Sequence, residues 1–507
     1  MDWRPIIRRY QDLVLRLECT ILKYDPYRPA LPPRQKSNSG TGFIINVQQG
    51  LVMTNAHVMA NTEVIEAYSL LLGSKSLKLL PMSICHDKDI GVCRMSLSDL
   101  TLFHNIYKGN INTQRVNFGD ILNCYVTQPV ICLGYSLDKT NFKVATGTIS
   151  SLNIDEQDQS DEVPVYIQLQ ITLQQGNSGS PIVDQYGHII AIASAGSSNS
   201  EGIIEAISIN GIVAIMNRLI STSDGNDGRA GEDGKINIIS PPKYGFEVCP
   251  CTPFQLAHIN YSPATYTLMS SSTYSSTPSS SSIYTPSPSP SSIHPPNFPM
   301  TGCLVKRVNP NCFMTDLIRG DILSQIKFLS NTFYVTEYGN IRWIDRSYIS
   351  FKQFFDVIPE STVVSFIVYR QDVKIMIESP FISPPSPPPT AIYVRNHIYL
   401  AWTNLPTITV AGLILGPLTK QHVKRDPQHL GKYLEAPERY QPYMLVYEVL
   451  PDTINSDLKI IKEGAVISSI NSLYIRTIDD VVRTLEVNTP YLSILDVDSN
   501  LLVVSKE

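Results

Sequence analysis

A serine enclosed by glycines is the part of this sequence with the clearest chemistry. Ser178 lies in the run Gln-Gly-Asn-Ser-Gly-Ser-Pro between Gln175 and Pro181. A hydroxyl becomes a good nucleophile when an imidazole removes its proton, and the imidazole needs a carboxylate that fixes its tautomer and stabilises its cation. Candidates for both lie upstream, because His57 follows Thr-Asn-Ala and Asp89 precedes Ile-Gly-Val. The three residues together predict acyl-transfer chemistry.

The glycine before the serine predicts an anion site. Gly176 tolerates backbone angles that other residues avoid, so its N–H and that of Ser178 can point at one oxyanion. Losing one such donor typically costs about a hundredfold to a thousandfold in rate. The alternative is an ordinary surface turn rich in Gly, Ser and Asn. The two accompanying motifs favour the catalytic interpretation.

Two aspartates compete for the carboxylate role. Asp89 directly precedes an apolar run at residues 90–93, which predicts a strand, whereas Asp87 suits a solvated turn. We therefore prefer Asp89. His57 follows a predicted strand at residues 50–54, where a lone histidine would more often be structural.

The order of these residues along the chain indicates the fold. Histidine, then aspartate, then serine is the order of chymotrypsin-like double β-barrels, and it differs from that of α/β-hydrolases. The sequence therefore predicts a mostly β, trypsin-like protease domain over residues 1–222, and a serine endopeptidase.

Further segments resemble the HtrA/Deg family of ATP-independent serine proteases over most of residues 13–220. They are residues 39–45, 52–58, 89–92, 133–136 and 145–150. The resemblance implies catalytic roles for His57, Asp89 and Ser178. Residues 170–174 read Gln-Ile-Thr-Leu-Gln where the family usually has Asp-Ala-Ala-Ile-Asn. This segment lines the family's specificity pocket, so Leu173 is expected near its floor and favours small or aliphatic side chains.

Composition limits the partners. The 507-residue chain has a formal net charge of −5 and no basic block, so nucleic acid is not an expected partner. No run reaches the roughly 18 apolar residues of a transmembrane anchor, and no secretory signal begins the chain. Nine cysteines lack a regular framework, which favours free thiols in an intracellular, cytoplasmic setting, with an organelle, the nucleus or a virion left open. No metal or other cofactor is predicted, because Cys249 and Cys251 are too close for standard zinc spacing.

Biased segments divide the rest of the chain. Residues 223–243 are predicted as a flexible linker, residues 261–299 as a disordered Ser/Pro-rich insertion, and residues 381–394 as a Pro-rich spacer. Residues 244–380 and 395–507 have the alternation of small α+β domains, and both resemble PDZ domains.

The first of these domains carries a possible peptide site. In PDZ domains an apolar-Gly-apolar loop receives a peptide's C-terminal carboxylate, and the peptide adds a strand beside it. Tyr244, Gly245 and Phe246 match that loop. They equally suit a strand start with aromatic core residues.

The second PDZ-like domain resembles the divergent one of plant-type Deg proteases, which implies a role in assembly. Apolar residues at positions 478, 481, 482 and 485 predict the buried stripe of a helix. Aromatics at residues 24–29 occupy the position of the family's trimerisation loop, so a homo-oligomer, a trimer or a multiple of one, is expected. The alternative is a solvated loop.

The sequence thus predicts an ATP-independent serine endopeptidase that acts on unfolded or loosely folded polypeptides. One alternative is a catalytically weak, chaperone-like or peptide-binding protein on a protease fold, which the altered residues 170–174 favour. Another is an interaction scaffold dominated by the PDZ-like domains.

Overall fold

In the computed structural model the chain forms two compact units. The first comprises residues 1–243, 309–311 and 383–507, and the second comprises residues 244–308 and 312–382. The structure describes residues 1–107, 116–136, 141–152, 164–194, 202–221, 236–251, 302–310, 312–342, 348–371, 373–382, 392–394, 398–402, 405–435, 437–487 and 489–505. The predicted insertion and most of the predicted linker and spacer lie outside these residues.

Six strands form the first barrel of unit one. They are β1 (Val14–Lys23), β2 (Arg34–Asn46), β3 (Leu51–Thr54), β4 (Thr62–Tyr68), β5 (Ser76–Cys85) and β6 (Ile90–Met95). They pair antiparallel in the order β1–β2–β3–β6–β5–β4, and the β4–β1 pairing closes the barrel. Alternate residues of β1 are buried, namely Leu15, Leu17 and Cys19, because successive side chains of a strand face opposite sides.

Six further strands form the second barrel with the same order of connections. They are β7 (Pro129–Gly134), β8 (Lys143–Ser151), β9 (Tyr166–Gln170), β10 (Pro181–Asp184), β11 (Ile189–Ala193) and β12 (Ile203–Ser208). Their order is β7–β8–β9–β12–β11–β10, closed by β10–β7 pairing. This confirms the predicted double β-barrel.

Short helices flank the two barrels, and one more strand extends the first. The helices are Arg4–Tyr10, Ala56–Met59, Leu97–Ile106, Ile209–Ala214 and Met216–Ile220. Strand β13 (Asn237–Ile238) pairs parallel with β5, and Ile239 and Lys243 are buried. In the described end of the predicted linker, Ile236 and Ile239 pack on the barrel core, whereas Ile238 is 41% exposed.

The described residues of unit two form one antiparallel sheet and one helix. Its strands are β14 (Phe246–Cys249), β15 (Cys303–Val308), β16 (Ile322–Phe328), β17 (Asn331–Val335), β18 (Asn340–Arg342), β19 (Tyr348–Ser350), β20 (Val363–Arg370) and β21 (Val373–Pro380). The helix is Phe351–Val357. Its core is aromatic, with ring centroids of Phe355 5.2 Å from Tyr244 and 5.4 Å from Phe381. The Arg370 guanidinium donates two hydrogen bonds of 2.8 Å to the fully buried carboxylate of Asp321.

The C-terminal part of unit one is a second PDZ-like sheet. Its strands are β22 (Ile408–Val410), β23 (Leu413–Pro417), β24 (Met444–Val449), β25 (Val466–Ile470), β26 (Leu473–Tyr474), β27 (Tyr491–Asp496) and β28 (Leu501–Ser505). Its α-helices are Lys420–Arg425, Pro427–Leu430, Ile454–Leu458 and Ile478–Leu485. In the last helix Val481 is buried, but Val482 is 41% exposed, so the predicted buried stripe is one residue too wide.

In the described part of the chain, this C-terminal domain contacts the first barrel at two places. The imidazole Nε2–H of His422 donates to the Pro26 carbonyl at 2.8 Å, and Arg425 pairs with Asp25. The Tyr27 ring lies edge-on to His422, with centroids 4.9 Å apart. The loop that the resemblance assigned to trimerisation thus contacts the C-terminal domain of its own chain. The second contact is made by residues 398–402.

Candidate active site

His57 is held by a helix of four residues. In helix Ala56–Met59 the other three side chains are buried, whereas the His57 side chain is 45% exposed. Gly91 on β6 leaves room for this packing, since a Cβ there would lie 2.0 Å from the Met59 sulfur. The apolar residues therefore anchor the helix and leave the imidazole facing outward.

Asp89 forms two hydrogen bonds with His57. Its Oδ2 lies 2.7 Å from His57 Nδ1, and its Oδ1 accepts from the His57 backbone N–H at 3.0 Å. The Asp89 carbonyl accepts from the Asn55 side-chain amide at 3.1 Å. A carboxylate can only accept here, so Nδ1 carries the proton and Nε2 is left as a base. Asp89 has a φ of +45°, in the left-handed region that aspartate tolerates better than most residues.

Asp87, the competing aspartate, has a different partner. Its Oδ2 lies 3.0 Å from the ammonium of Lys243, whose side chain is 3% exposed. Burial opposes the ionisation of Asp87, but the ammonium outweighs it and holds the pKa of Asp87 below its usual value. The structure thus brings Asp89 to the histidine and Asp87 to a buried cation.

The serine loop, residues 175–180, is packed between the two barrels. Ser178 is 8% exposed, and its backbone carbonyl accepts a hydrogen bond from the Thr41 N–H at 2.8 Å. Gly179 N–H donates to the Ala193 carbonyl at 2.9 Å. A Cβ on Gly179 would lie 2.0 Å from the Thr41 carbonyl oxygen, and its φ is +88°, so this position requires glycine.

Gly176 has the conformation that the anion-site prediction requires. Its φ is +97°, and its carbonyl accepts from the Thr41 hydroxyl at 2.9 Å. Among the described residues, none accepts a hydrogen bond from the Gly176 N–H. That donor is therefore available to a ligand oxygen.

Thr41 is the residue that sequence reasoning missed. The buried hydroxyl donates to the Gly176 carbonyl and accepts from the Tyr135 N–H at 3.1 Å, while the Thr41 carbonyl accepts from the Thr54 hydroxyl at 2.7 Å. One threonine on β2 thus ties together both barrels and the serine loop. The available signal was a hydroxyl in the otherwise apolar run after Gly40.

Gly40 marks the point where the histidine and serine segments meet. A Cβ there would lie 2.8 Å from Val58 Cγ1 and 3.2 Å from the Ser178 carbonyl oxygen. Val58 directly follows His57, so both catalytic candidates are anchored at this contact. Only a residue without a side chain permits it.

The remaining predicted residues have the following surroundings. Leu173, before the serine loop, is half-buried against the core of the second barrel. In unit two, Tyr244 and Phe246 are buried, with rings 5.3 Å apart, and Gly245 has a φ of +71°. Their side chains contribute to the aromatic core, while β14, which begins at Phe246, is an edge strand of the sheet.

Comparison with known proteins identifies the kind of domain in which these residues lie. The model of the trypsin-like peptidase domain matches residues 40–192. A probable periplasmic DegP-like serine endoprotease of Hahella chejuensis is 25% identical over 201 residues, which are 39% of this chain and 39% of that protein. Its counterpart in Rickettsia prowazekii is 31% identical over 200 residues, 38% of this chain and 35% of that protein. The chain thus spans about two fifths of the length of these relatives. A solved structure of the HtrA-type protease AlgW with tripeptide is 17% identical, covers 76% of this chain and 99% of its own, and has a TM-score of 0.46.

Proposed function

Because the N-terminal domain of this chain belongs to the HtrA/Deg family of trypsin-like serine proteases, we propose that the chain is an ATP-independent serine endopeptidase. Its substrates are unfolded or loosely folded polypeptides. The observation that carries the proposal is the 2.7 Å hydrogen bond between His57 Nδ1 and Asp89 Oδ2, on a domain whose serine loop is anchored across both barrels.

The mechanism follows from the protonation of the histidine. With Nδ1–H donating to Asp89, His57 Nε2 removes the Ser178 hydroxyl proton as Oγ attacks the peptide carbonyl. The N–H groups of Gly176 and Ser178 stabilise the oxyanion. The imidazolium, stabilised by Asp89, then protonates the leaving amine, and water repeats the sequence to release the acyl group.

The segment before the serine loop sets side-chain preference in this proposal. Leu173 presents an apolar surface and no charge, so small or aliphatic residues are favoured on the acyl side of the scissile bond. Peptides that differ only at that residue test this preference. A higher kcat/KM for a basic residue than for valine would contradict the assignment of Leu173.

Hydrolysis of casein by the wild type beside Ser178→Ala tests the function. We expect cleavage by the wild type alone, with equal melting temperatures for the two proteins because the hydroxyl makes only a small contribution to packing. Equal cleavage by both would end the proposal.

A second candidate function is peptide or client binding without efficient cleavage. It is favoured by the unusual segment from Gln170 to Gln174 and by the edge strand β14, beside which a peptide could add through Tyr244, Gly245 and Phe246. Suppression of client aggregation by both the wild type and Ser178→Ala, with no hydrolysis by either, would favour this alternative.

Location and assembly belong to the same proposal. No helix in the described part of the chain is long and apolar enough to cross a membrane. All nine cysteines are free thiols, which supports a reducing, intracellular location. We also propose a homo-oligomer, a trimer or a multiple of one, which sedimentation equilibrium tests directly.

A further inference from the structure

The catalytic pair His57 and Asp89 lies on two short segments that end in left-handed residues. Helix Ala56–Met59 has a single turn, and Asn61, which follows it, has a φ of +57°. The turn before β6 ends at Asp89, with a φ of +45°. Asparagine and aspartate tolerate this region better than most residues, but it remains less populated than the helical and extended regions. Contacts from other segments can therefore help to hold both ends.

The aspartate turn is held by a buried lysine from beyond the barrels. Lys243 Nζ lies 3.0 Å from Asp87 Oδ2, two residues before Asp89. The lysine is fixed in turn, because Ile239 N–H donates to the Ile84 carbonyl at 2.8 Å, next to the β13–β5 pairing. An ammonium that is 3% exposed is costly unless it is paired. The pair therefore fixes Asp87 at one place.

The histidine segment is held by residues 398–402, which we call the strap. The Trp402 indole N–H donates to the Thr62 carbonyl at 2.9 Å, and Ala401 N–H donates to the Asn61 side-chain oxygen at 3.2 Å. Tyr399 is 1% exposed within the core of the first barrel, and its ring lies 5.2 Å from that of Trp402. The strap thus donates hydrogen bonds to Asn61 and Thr62, which follow the helix of His57.

We propose that Lys243 and Trp402 are positioning residues for the catalytic pair. Lys243 acts through Asp87 on the turn that carries Asp89, and Trp402 acts through Thr62 on the segment that follows His57. This inference rests on the proposed function, since it presupposes that His57 and Asp89 do the chemistry. It assigns a positioning role to chain segments that follow the two barrels in sequence.

Turnover by the full-length chain tests the proposal. Misplacement of a catalytic group by about 1 Å can cost about a hundredfold in rate. Lys243→Met removes the charge and retains the length of the side chain, so we expect kcat to fall at least tenfold with KM changed less than twofold. Trp402→Phe retains a smaller aromatic ring and removes the donor to Thr62, so we expect kcat to fall about threefold or more. Lys243→Arg, which retains the cation, should recover most of the lost kcat.

Matched controls separate positioning from general destabilisation. Lys78→Met removes an exposed lysine from the same barrel, and Trp3→Phe removes an indole donor that packs on the same core. Both controls should retain wild-type kcat. Wild-type kcat in folded Lys243→Met and Trp402→Phe would overturn the inference, as would equal losses in the controls.

A spectroscopic measurement tests the inference without turnover. It also serves for a variant that is too unstable for steady-state kinetics. The low-field proton resonance of His57 Nδ1–H, assigned by its absence in His57→Gln, reports the hydrogen bond to Asp89. We expect this resonance to shift or broaden in Lys243→Met and Trp402→Phe and to stay unchanged in the controls. An unchanged resonance in both variants overturns the inference. If the wild type and Ser178→Ala cleave casein equally, the proposed function fails, and the resonance still reports on the inference.

Discussion

At the scale of single residues, the site depends on a threonine as much as on the glycines around the serine. The Thr41 hydroxyl lies 2.9 Å from the Gly176 carbonyl and 3.1 Å from the Tyr135 nitrogen. It fixes the peptide that joins Gly176 to the residue before Ser178. A preorganised oxyanion site requires that its donors do not reorient during the reaction. Thr41 provides this restraint from the opposite barrel.

Replacing this threonine by valine tests the restraint at almost constant volume. In Thr41→Val the buried Gly176 carbonyl loses its donor, which should cost about 1–3 kcal/mol of unfolding free energy. We expect kcat to fall on the order of tenfold, because the oxyanion donors gain freedom. Urea unfolding and steady-state kinetics measure the two effects. Thr41→Ser keeps the hydroxyl and should retain kcat, so an equal loss in the serine variant would contradict the role of the hydrogen bond.

At the scale of elements, the contact between the Tyr24–Arg28 loop and helix Lys420–Arg425 depends on an uncharged histidine. His422 Nε2–H donates to the Pro26 carbonyl, and its Nδ1 accepts from the Thr419 N–H at 3.1 Å. A second proton would have to enter Nδ1, where a donor already points. Burial lowers the pKa of His422 to about 4; the hydrogen bond to Pro26 and the charge of Asp25 oppose this shift, and the charge of Arg425 adds to it.

This contact should therefore weaken in mild acid. The folded-state pKa lies below the unfolded value of about 6.5, so the unfolded chain binds more protons between these values. The stabilisation is complete above pH 6.5 and decreases as the pH falls towards 4, by roughly 3 kcal/mol in total. Urea unfolding at pH 7.5 and pH 5 should show a smaller pH dependence in His422→Gln than in the wild type. His86, whose pKa burial also lowers to about 4, contributes equally to both proteins. An identical pH dependence would contradict the role of His422.

At the scale of the whole molecule, the protease domain and the C-terminal domain share one unit, although residues 244–382 separate them in sequence. Tyr399 is part of the core of the first barrel, and Trp402 packs against it. The stability of the protease domain therefore depends on residues that lie more than 150 positions beyond its last strand.

Truncation tests this dependence. A chain that ends after Lys243 loses the rings of Tyr399 and Trp402, whose burial contributes on the order of 4 kcal/mol. Its melting temperature should therefore fall by roughly 10 °C relative to the full chain. Differential scanning calorimetry of the two proteins measures the change in the barrel transition. Tyr399→Ala in the full chain should reproduce part of the decrease. A truncated chain that melts with the full-length barrel would show that the strap contributes no stability.

The sequence by itself determined those features that depend on neighbouring residues. Alternating apolar runs specify strands, and the Ser350 cap and the aromatic face specify helix Phe351–Val357. The segments around His57, Asp89 and Ser178 lie within the match to the trypsin-like peptidase domain. The tertiary structure decided the partners of residues that lie far apart in the chain. Asp87 pairs with Lys243, Thr41 with Gly176, and Trp402 with Thr62. None of these pairs leaves a periodic or local signal, because each arises only when two distant segments are buried against one another.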